Sequence, residues 1–284
     1  MPEGDTIHKL ARALGPVLGT AALEAVATRS RRGAALVEHG AMAARGVSAR
    51  GKHLLIALDD AAGHAWQLRT HLGMYGTWHQ YAPEAAWNKP VQQAWAVLRL
   101  PDRVLVCFHP RELAWQPRSE ARADPERLDS RVGPDLLDPG LDLAAVVRRV
   151  RDRSPPPRPI LDVLLDQSLA SGIGNIYKSE VLFLHRRHPL DPVAAIADDA
   201  LQAMYRDAAR LLRRNLKPGP RITRERAETD EYLYVYGRRG QPCRVCGTAI
   251  ERALAGEHLR STYWCPSCQA GNPAPTAGHQ RGRR

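Results

Sequence analysis

Ile7, Leu10, Ala11 and Leu14 recur at helical spacing behind Asp5, a residue suited to cap a helix start, so the chain is expected to open with a short helix. From about residue 21 to 115 the pattern becomes strand-like, with runs at 54–58, 65–68, 94–98 and 104–106. Pro101-Asp102 separates the last two and reads as a hairpin turn. Several strands joined by short turns predict a β-sandwich or barrel. Residues 117–135 are charged, contain prolines and show little periodicity, as a linker would. Helical runs follow at 141–151, 160–168, 175–185 and 198–216. Residues 271–284 are rich in Gly, Pro and Arg and read as a disordered basic tail, and no internal repeat is present. The chain thus divides into an N-terminal β domain at 1–120, a linker at 121–135, a helical domain at 136–217, a cysteine-bearing module at 218–270 and the tail.

The cysteines define that module. Cys243 and Cys246, then Cys265 and Cys268, form two Cys-x-x-Cys knuckles whose spacer suits a treble of short strands folding four thiolates around one zinc. With all four positions filled by protein, such a zinc is structural. Disulfides in a secreted domain are the competing reading, but residues 1–19 hold no apolar run long enough for a signal peptide and no segment approaches a membrane span. A reducing, cytosolic compartment follows. Cys107 lies in the apolar run 104–108 and is expected to be a buried strand residue.

Charge adds a polyanionic partner. Lys and Arg outnumber Asp and Glu by 41 to 30, giving a formal net charge of +11. This balance suits a phosphate backbone or an anionic surface. Arginine dominates, with lysine only at Lys9, Lys52, Lys89, Lys178 and Lys217.

Two stretches carry chemistry. Trimming Met1 would turn Pro2 into a free secondary amine beside the Glu3 carboxylate. An α-amino group titrates near ~8, so a usable fraction is unprotonated at neutral pH and able to attack an electrophilic sugar carbon. In the second stretch, 167–177, Gly172 and Gly174 permit a tight double turn, and Asn175 is placed to cap the helix that follows. Backbone N–H groups at such a start can hold a phosphate.

Met1-Pro2-Glu3-Gly4, Gly51-Lys52, the Gly-x-Gly-Asn-x-Tyr turn at 172–177 and the run from Arg260 to Cys265 together resemble the Fpg/Nei DNA glycosylases. The order is right and nearly the whole chain is spanned. The resemblance implies an α+β multidomain protein: an N-terminal β-sandwich, a helix-two-turn-helix domain and a zinc finger, with damaged duplex DNA across the cleft between domains. It further implies a bifunctional DNA glycosylase and AP lyase of base excision repair. Pro2 would be the nucleophile at C1′, Glu3 the acid serving the sugar-ring oxygen, and Lys52 a phosphate contact assisting catalysis. Asn175 and Arg260 would clamp phosphates around the lesion. The run 71–76 resembles an intercalation loop and nominates Met74 as a wedge, with core packing as the alternative. In 110–113, Arg111 would face the orphaned base and Leu113 support it.

The implied partner is double-stranded DNA with oxidised bases or abasic sites, bound by a monomer in the bacterial cytosol or nucleoid. The family commonly continues Met-Pro-Glu-x-Pro-Glu, whereas Thr6 stands here in place of the second acid. The start and the Tyr263-Trp264-Cys265 run resemble the endonuclease VIII branch, which favours oxidised pyrimidines; the 71–74 run is closer to the formamidopyrimidine branch. Residues 217–231 show no readable pattern. Two other classes fit parts of the chain: a non-catalytic protein that binds bent or damaged DNA, and an RNA-binding helix-turn protein, which leaves Met1-Pro2-Glu3 unexplained.

Overall fold

The computed structural model describes residues 2–29, 35–119, 132–225 and 232–271. Two compact units result, 1–131 and 132–284.

The first unit opens with α1 (Gly4–Leu18), whose Ile7, Leu14 and Leu18 are buried. Ten strands follow: β1 (Ala22–Leu23), β2 (Ala25–Arg29), β3 (Leu36–Glu38), β4 (Met42–Arg50), β5 (His53–Asp60), β6 (Ala65–His71), β7 (Thr77–Tyr81), β8 (Ala94–Arg99), β9 (Val104–Phe108) and β10 (Glu112–Pro117). They form two five-stranded sheets, ordered β1-β4-β5-β6-β10 and β3-β2-β8-β9-β7. Alternation in β5 sends Leu54, Ile56 and Leu58 into one core with Leu68, Leu98, Leu105 and Cys107. In β9, Val104, Val106 and Phe108 join a second core on the opposite face. Burial on both faces explains why 104–108 reads as an unbroken apolar run. Cys107 is fully enclosed there, and burial pushes its thiol pKa up.

The second unit holds α2 (Leu143–Arg153), α3 (Ile160–Leu165), α4 (Asn175–Leu184), α5 (Asp198–Arg214) and a hairpin of β11 (Glu251–Ala255) and β12 (Arg260–Trp264). Asp142 caps α2, its Oδ1 accepting from Ala144 N–H at 2.9 Å and Ala145 N–H at 3.1 Å. The helix expected at 160–168 stops at Leu165, because Asp166 turns its carboxylate to the Ser168 N–H and hydroxyl, at 2.9 and 2.7 Å. The amphipathic α5 buries Leu201, Met204, Tyr205, Ala208, Leu211 and Leu212 against the other helices.

The second unit begins earlier than the linker expectation placed it. Val132 is buried and Asp135 bridges to Ser171, so residues 132–135 pack with the helices. Most of the expected linker, the tail beyond 271 and the segment 226–231 lie outside the described residues. The metal module shows two strands among the described residues, in place of the expected treble.

Candidate functional site

Helix α1 packs on β4 and β5, and its C-terminal end meets the start of β4, where Ala44 N–H donates to the Ala21 carbonyl at 2.9 Å. Residues 51–52 turn the chain from β4 into β5. At the start of α1, Pro2 is half-buried and Glu3 fully buried. Glu3, not Asp5, is the N-cap of α1, in an extended conformation. The Thr6 hydroxyl accepts from the Glu3 N–H at 3.4 Å, which explains how a short polar residue serves at this position. Asp5 sits buried in the first turn, where the positive helix end favours a carboxylate.

Strand register builds the end of the sheet at the 51–52 turn. Arg50 pairs with His53, His53 with His71 and His71 with Glu112, a row across β4, β5, β6 and β10 beside Lys52. The two imidazole centroids are 4.9 Å apart. Arg69 on β6 donates to His53 Nδ1 at 3.4 Å and lies 3.6 Å from the Glu112 carboxylate. Burial, then the positive groups around it, hold the His53 pKa down to about 3. His71 falls to about 4, chiefly through burial, with Glu112 pulling the other way. Both rings are neutral acceptors at neutral pH.

Met74 lies in the loop that closes when the Gly76 N–H bonds the Leu72 carbonyl at 3.0 Å, and it is 55% exposed. It lies outside the core and outside any strand. Gly73, at φ +65°, lets this loop touch the next one: a Cβ there would stand 2.8 Å from the Arg111 Cβ. Leu113 is half-buried against the sheet core. Lys52, Met74, Arg111 and Leu113 thus gather at one end of the first unit.

In the second unit, Gly172 takes φ +118°, a conformation open to glycine alone, and leads into α4. Gly174, not Asn175, is the N-cap; Asn175 is the first helical residue and is buried. A glycine cap needs no side chain, so the helix start does not draw on the asparagine amide for its cap. Arg260 begins β12. Lys178 reaches Ser261 and Thr262, and Ser179 reaches Tyr263, so β12 follows α4 and Arg260 falls toward the Asn175 end.

The sulfurs of Cys243, Cys246, Cys265 and Cys268 all lie within 4.8 Å of one another, with Cys243 and Cys268 at 3.9 Å and Cys246 and Cys265 at 3.4 Å. Tetrahedral thiolates at a Zn–S distance of ~2.3 Å stand about 3.8 Å apart, so the donor set fits zinc. Phe183 of α4, Val235 and Ile250 supply the module with a small core.

The motifs did not reveal His53, Arg69, Glu112, Lys178 or Glu180. The first three meet only through register. Lys178 was visible as one helical turn beyond Asn175, but its partner is 84 residues away.

Three domains known from DNA repair proteins match in chain order. Residues 1–115 match the formamidopyrimidine-DNA glycosylase N-terminal domain, 132–227 the formamidopyrimidine-DNA glycosylase H2TH domain, and 240–271 the zinc finger found in FPG and IleRS. The chain is 36% identical over its full length to a probable endonuclease 8 2 of Streptomyces coelicolor, covering 99% of that protein. It is 33% identical to the DNA-(apurinic or apyrimidinic site) lyase Nei2 of Mycolicibacterium smegmatis, over 95% of this chain and 99% of the relative. A formamidopyrimidine-DNA glycosylase of Chloroflexus aurantiacus is 31% identical over 95% and 98% of the two chains. Among solved structures, MutM in complex with carbocyclic 8-oxo-G containing DNA superposes with a TM-score of 0.77 at 22% identity, covering 94% of this chain and 99% of that one. A complex between the Lactococcus lactis Fpg and abasic-site DNA gives 0.76 at 23%, with the same coverage.

These matches define a DNA repair glycosylase with AP lyase activity and one structural zinc. The chain belongs to the Fpg/Nei family.

Proposed function

We propose that the protein removes oxidised pyrimidines from double-stranded DNA through a Pro2 Schiff base and then nicks the strand by β,δ-elimination. The observation that carries this reading is the N-terminus itself: a half-buried Pro2 directly ahead of the helix cap, next to a fully buried Glu3. The positive end of α1 disfavours an ammonium and favours a carboxylate, so the amine of the trimmed chain is biased toward its nucleophilic form.

The Pro2 nitrogen forms a bond to C1′ as the C1′–base bond breaks, and the base leaves with the bonding pair. The Glu3 carboxylate takes the N–H proton from the newly bonded Pro2 nitrogen and delivers it to the ring oxygen, so the C1′–ring-oxygen bond breaks, the sugar opens and an iminium is left. That iminium draws electrons from C2′; loss of the C2′ proton expels the 3′ phosphate, and loss of the C4′ proton then expels the 5′ phosphate. Water releases the enzyme. Lys52 neutralises charge at the phosphate as it departs.

A base inside a duplex is out of reach, so the nucleotide is rotated out of the stack. Asn175 and Arg260 grip the flanking phosphates, Met74 fills the gap, Arg111 faces the orphaned base and Leu113 backs the loop. The pyrimidine preference is supported by the Met1-Pro2-Glu3-Gly4 start, the Tyr263-Trp264-Cys265 run and the endonuclease 8 relatives. We place the enzyme in the bacterial cytosol or nucleoid, acting as a monomer.

Borohydride trapping on an abasic duplex tests the mechanism: the adduct maps to Pro2, and trapping at Lys52 or after deletion of Pro2 refutes it. An intact mass that retains Met1 does the same. Excision from duplexes with one oxidised pyrimidine or one 8-oxoguanine tests the preference, and faster release of the purine reverses it.

A further inference from the structure

Helix α4 carries Asn175 at its start and two fully buried charges beyond it, Lys178 and Glu180. Two residues apart on a helix, they point to opposite sides and do not face each other. Burying either without partners is costly, so the segments they grip are part of what they hold in place. Glu180 accepts from the N–H groups of Tyr234, Val235 and Tyr236 at 2.8, 2.9 and 2.8 Å, and from the Thr223 hydroxyl. Lys178 faces the finger. Its Nζ donates to the Ser261 carbonyl at 3.1 Å and to Thr262 Oγ1 at 2.7 Å. The same Thr262 hydroxyl donates onward to the carbonyl of Arg260 at 2.9 Å. A hydroxyl that accepts from an ammonium becomes a stronger donor, so the two bonds reinforce each other.

We propose that Lys178 is a positioning residue for the phosphate clamp: through Thr262 Oγ1 its buried ammonium fixes the backbone of Arg260 against the helix that begins at Asn175. This rests on the reading of Asn175 and Arg260 as phosphate contacts. It adds a buried link between the two, Asn175 to Lys178 along one turn of helix, Lys178 to Thr262, and Thr262 to the Arg260 peptide. Neither Lys178 nor Thr262 touches DNA in this arrangement. Their effect is on where an arginine stands.

The test uses the zinc-loaded full chain and an abasic-site duplex, comparing Lys178→Met, Thr262→Val, Thr262→Ser and Arg260→Ala, with each of the first two also combined with Arg260→Ala. Lys178→Met and Thr262→Val are expected to weaken duplex binding about tenfold, appearing in KM rather than kcat, with the zinc content unchanged. Thr262→Ser, which keeps the hydroxyl, restores binding. In the Arg260→Ala background neither substitution adds a further loss, because the group they position is gone. Full additivity with Arg260→Ala overturns the proposal, as does unchanged binding in Thr262→Val, which keeps Lys178 and the finger intact. Loss of zinc in step with binding also overturns it, reducing Lys178 to a fastening of the finger. If Arg260→Ala alone leaves binding intact, the clamp reading fails by itself, whatever Lys178→Met does.

Discussion

At the loop end of the first unit, His53 and His71 lie among Arg50, Lys52, Arg69 and Arg111, and of the charged groups acting on His71 only Glu112 is acidic. In α4 of the second unit Lys178 and Glu180 are at least as enclosed, yet Glu180 meets at least four donors and Lys178 at least two acceptors. The difference separates two uses of buried polarity. Where charges of one sign are crowded, ionisation is suppressed and the region suits an incoming anion or a proton transfer. Where each charge is saturated by its own chain, the polarity fixes geometry. Under the proposed function the first arrangement serves chemistry and the second scaffolding.

The sharpest contrast comes from removing one carboxylate in each region. Glu3→Gln keeps the shape and the Pro2 amine but removes the acid, so base excision is expected to fall by roughly 10²-fold or more, the range of general acid catalysis, while duplex binding persists. Glu180→Gln is expected to act the other way: it turns an amide toward backbone donors and costs the second unit about 3 kcal/mol, with excision per folded molecule little changed. Denaturation curves and single-turnover excision on both variants decide it. An unstable Glu3→Gln or a stable, inactive Glu180→Gln would erase the distinction.

The zinc module extends the scaffolding side. Its core is small, so Cys265→Ser or chelation should unfold it and abolish duplex binding while the sandwich persists. Retained binding by the stripped protein would show that Arg260 needs no folded finger to hold it.

Much of this division was legible in the sequence, and the parts that were not share a cause. Strands and helices were set by the period of apolar residues, and 104–108 was recognisable because burial on both faces leaves no polar position. The zinc ligands were legible because a knuckle is local. Cap positions slipped, from Asp5 to Glu3 and from Asn175 to Gly174, because neighbouring residues can all serve and the backbone conformation makes the choice. The row from Arg50 to Glu112 and the link from Lys178 to Thr262 join residues far apart in sequence, and no local pattern records a register or a docking distance.

The imidazole pair gives a smaller, graded effect. Folded pKa values of about 3 for His53 and about 4 for His71 lie below the ordinary 6.5. As pH falls below 6.5 the unfolded chain takes up protons that the folded chain refuses, so stability is lost from that point down toward 4. Each ring contributes a slope of up to about 1.4 kcal/mol per pH unit. Chemical denaturation between pH 7 and 5 should show this slope shrink in a His53→Gln, His71→Gln variant. An identical slope in that variant would mean the rings titrate normally.

The smallest expected effect on stability is at Met74, and it probes the chemical end most directly. The side chain is 55% exposed on a loop held by Gly73 against Arg111, so Met74→Ala forfeits little packing and should change stability by less than about 0.5 kcal/mol. A wedge matters only while a base is being drawn out of a paired duplex. Excision of a paired lesion should therefore slow several-fold, whereas cleavage at an abasic site already made in a single strand, where no gap opens, should keep its rate. The ratio of the two rates is the measurement. A stability loss of a few kcal/mol with both rates falling together would return Met74 to the core and leave the duplex without its filler.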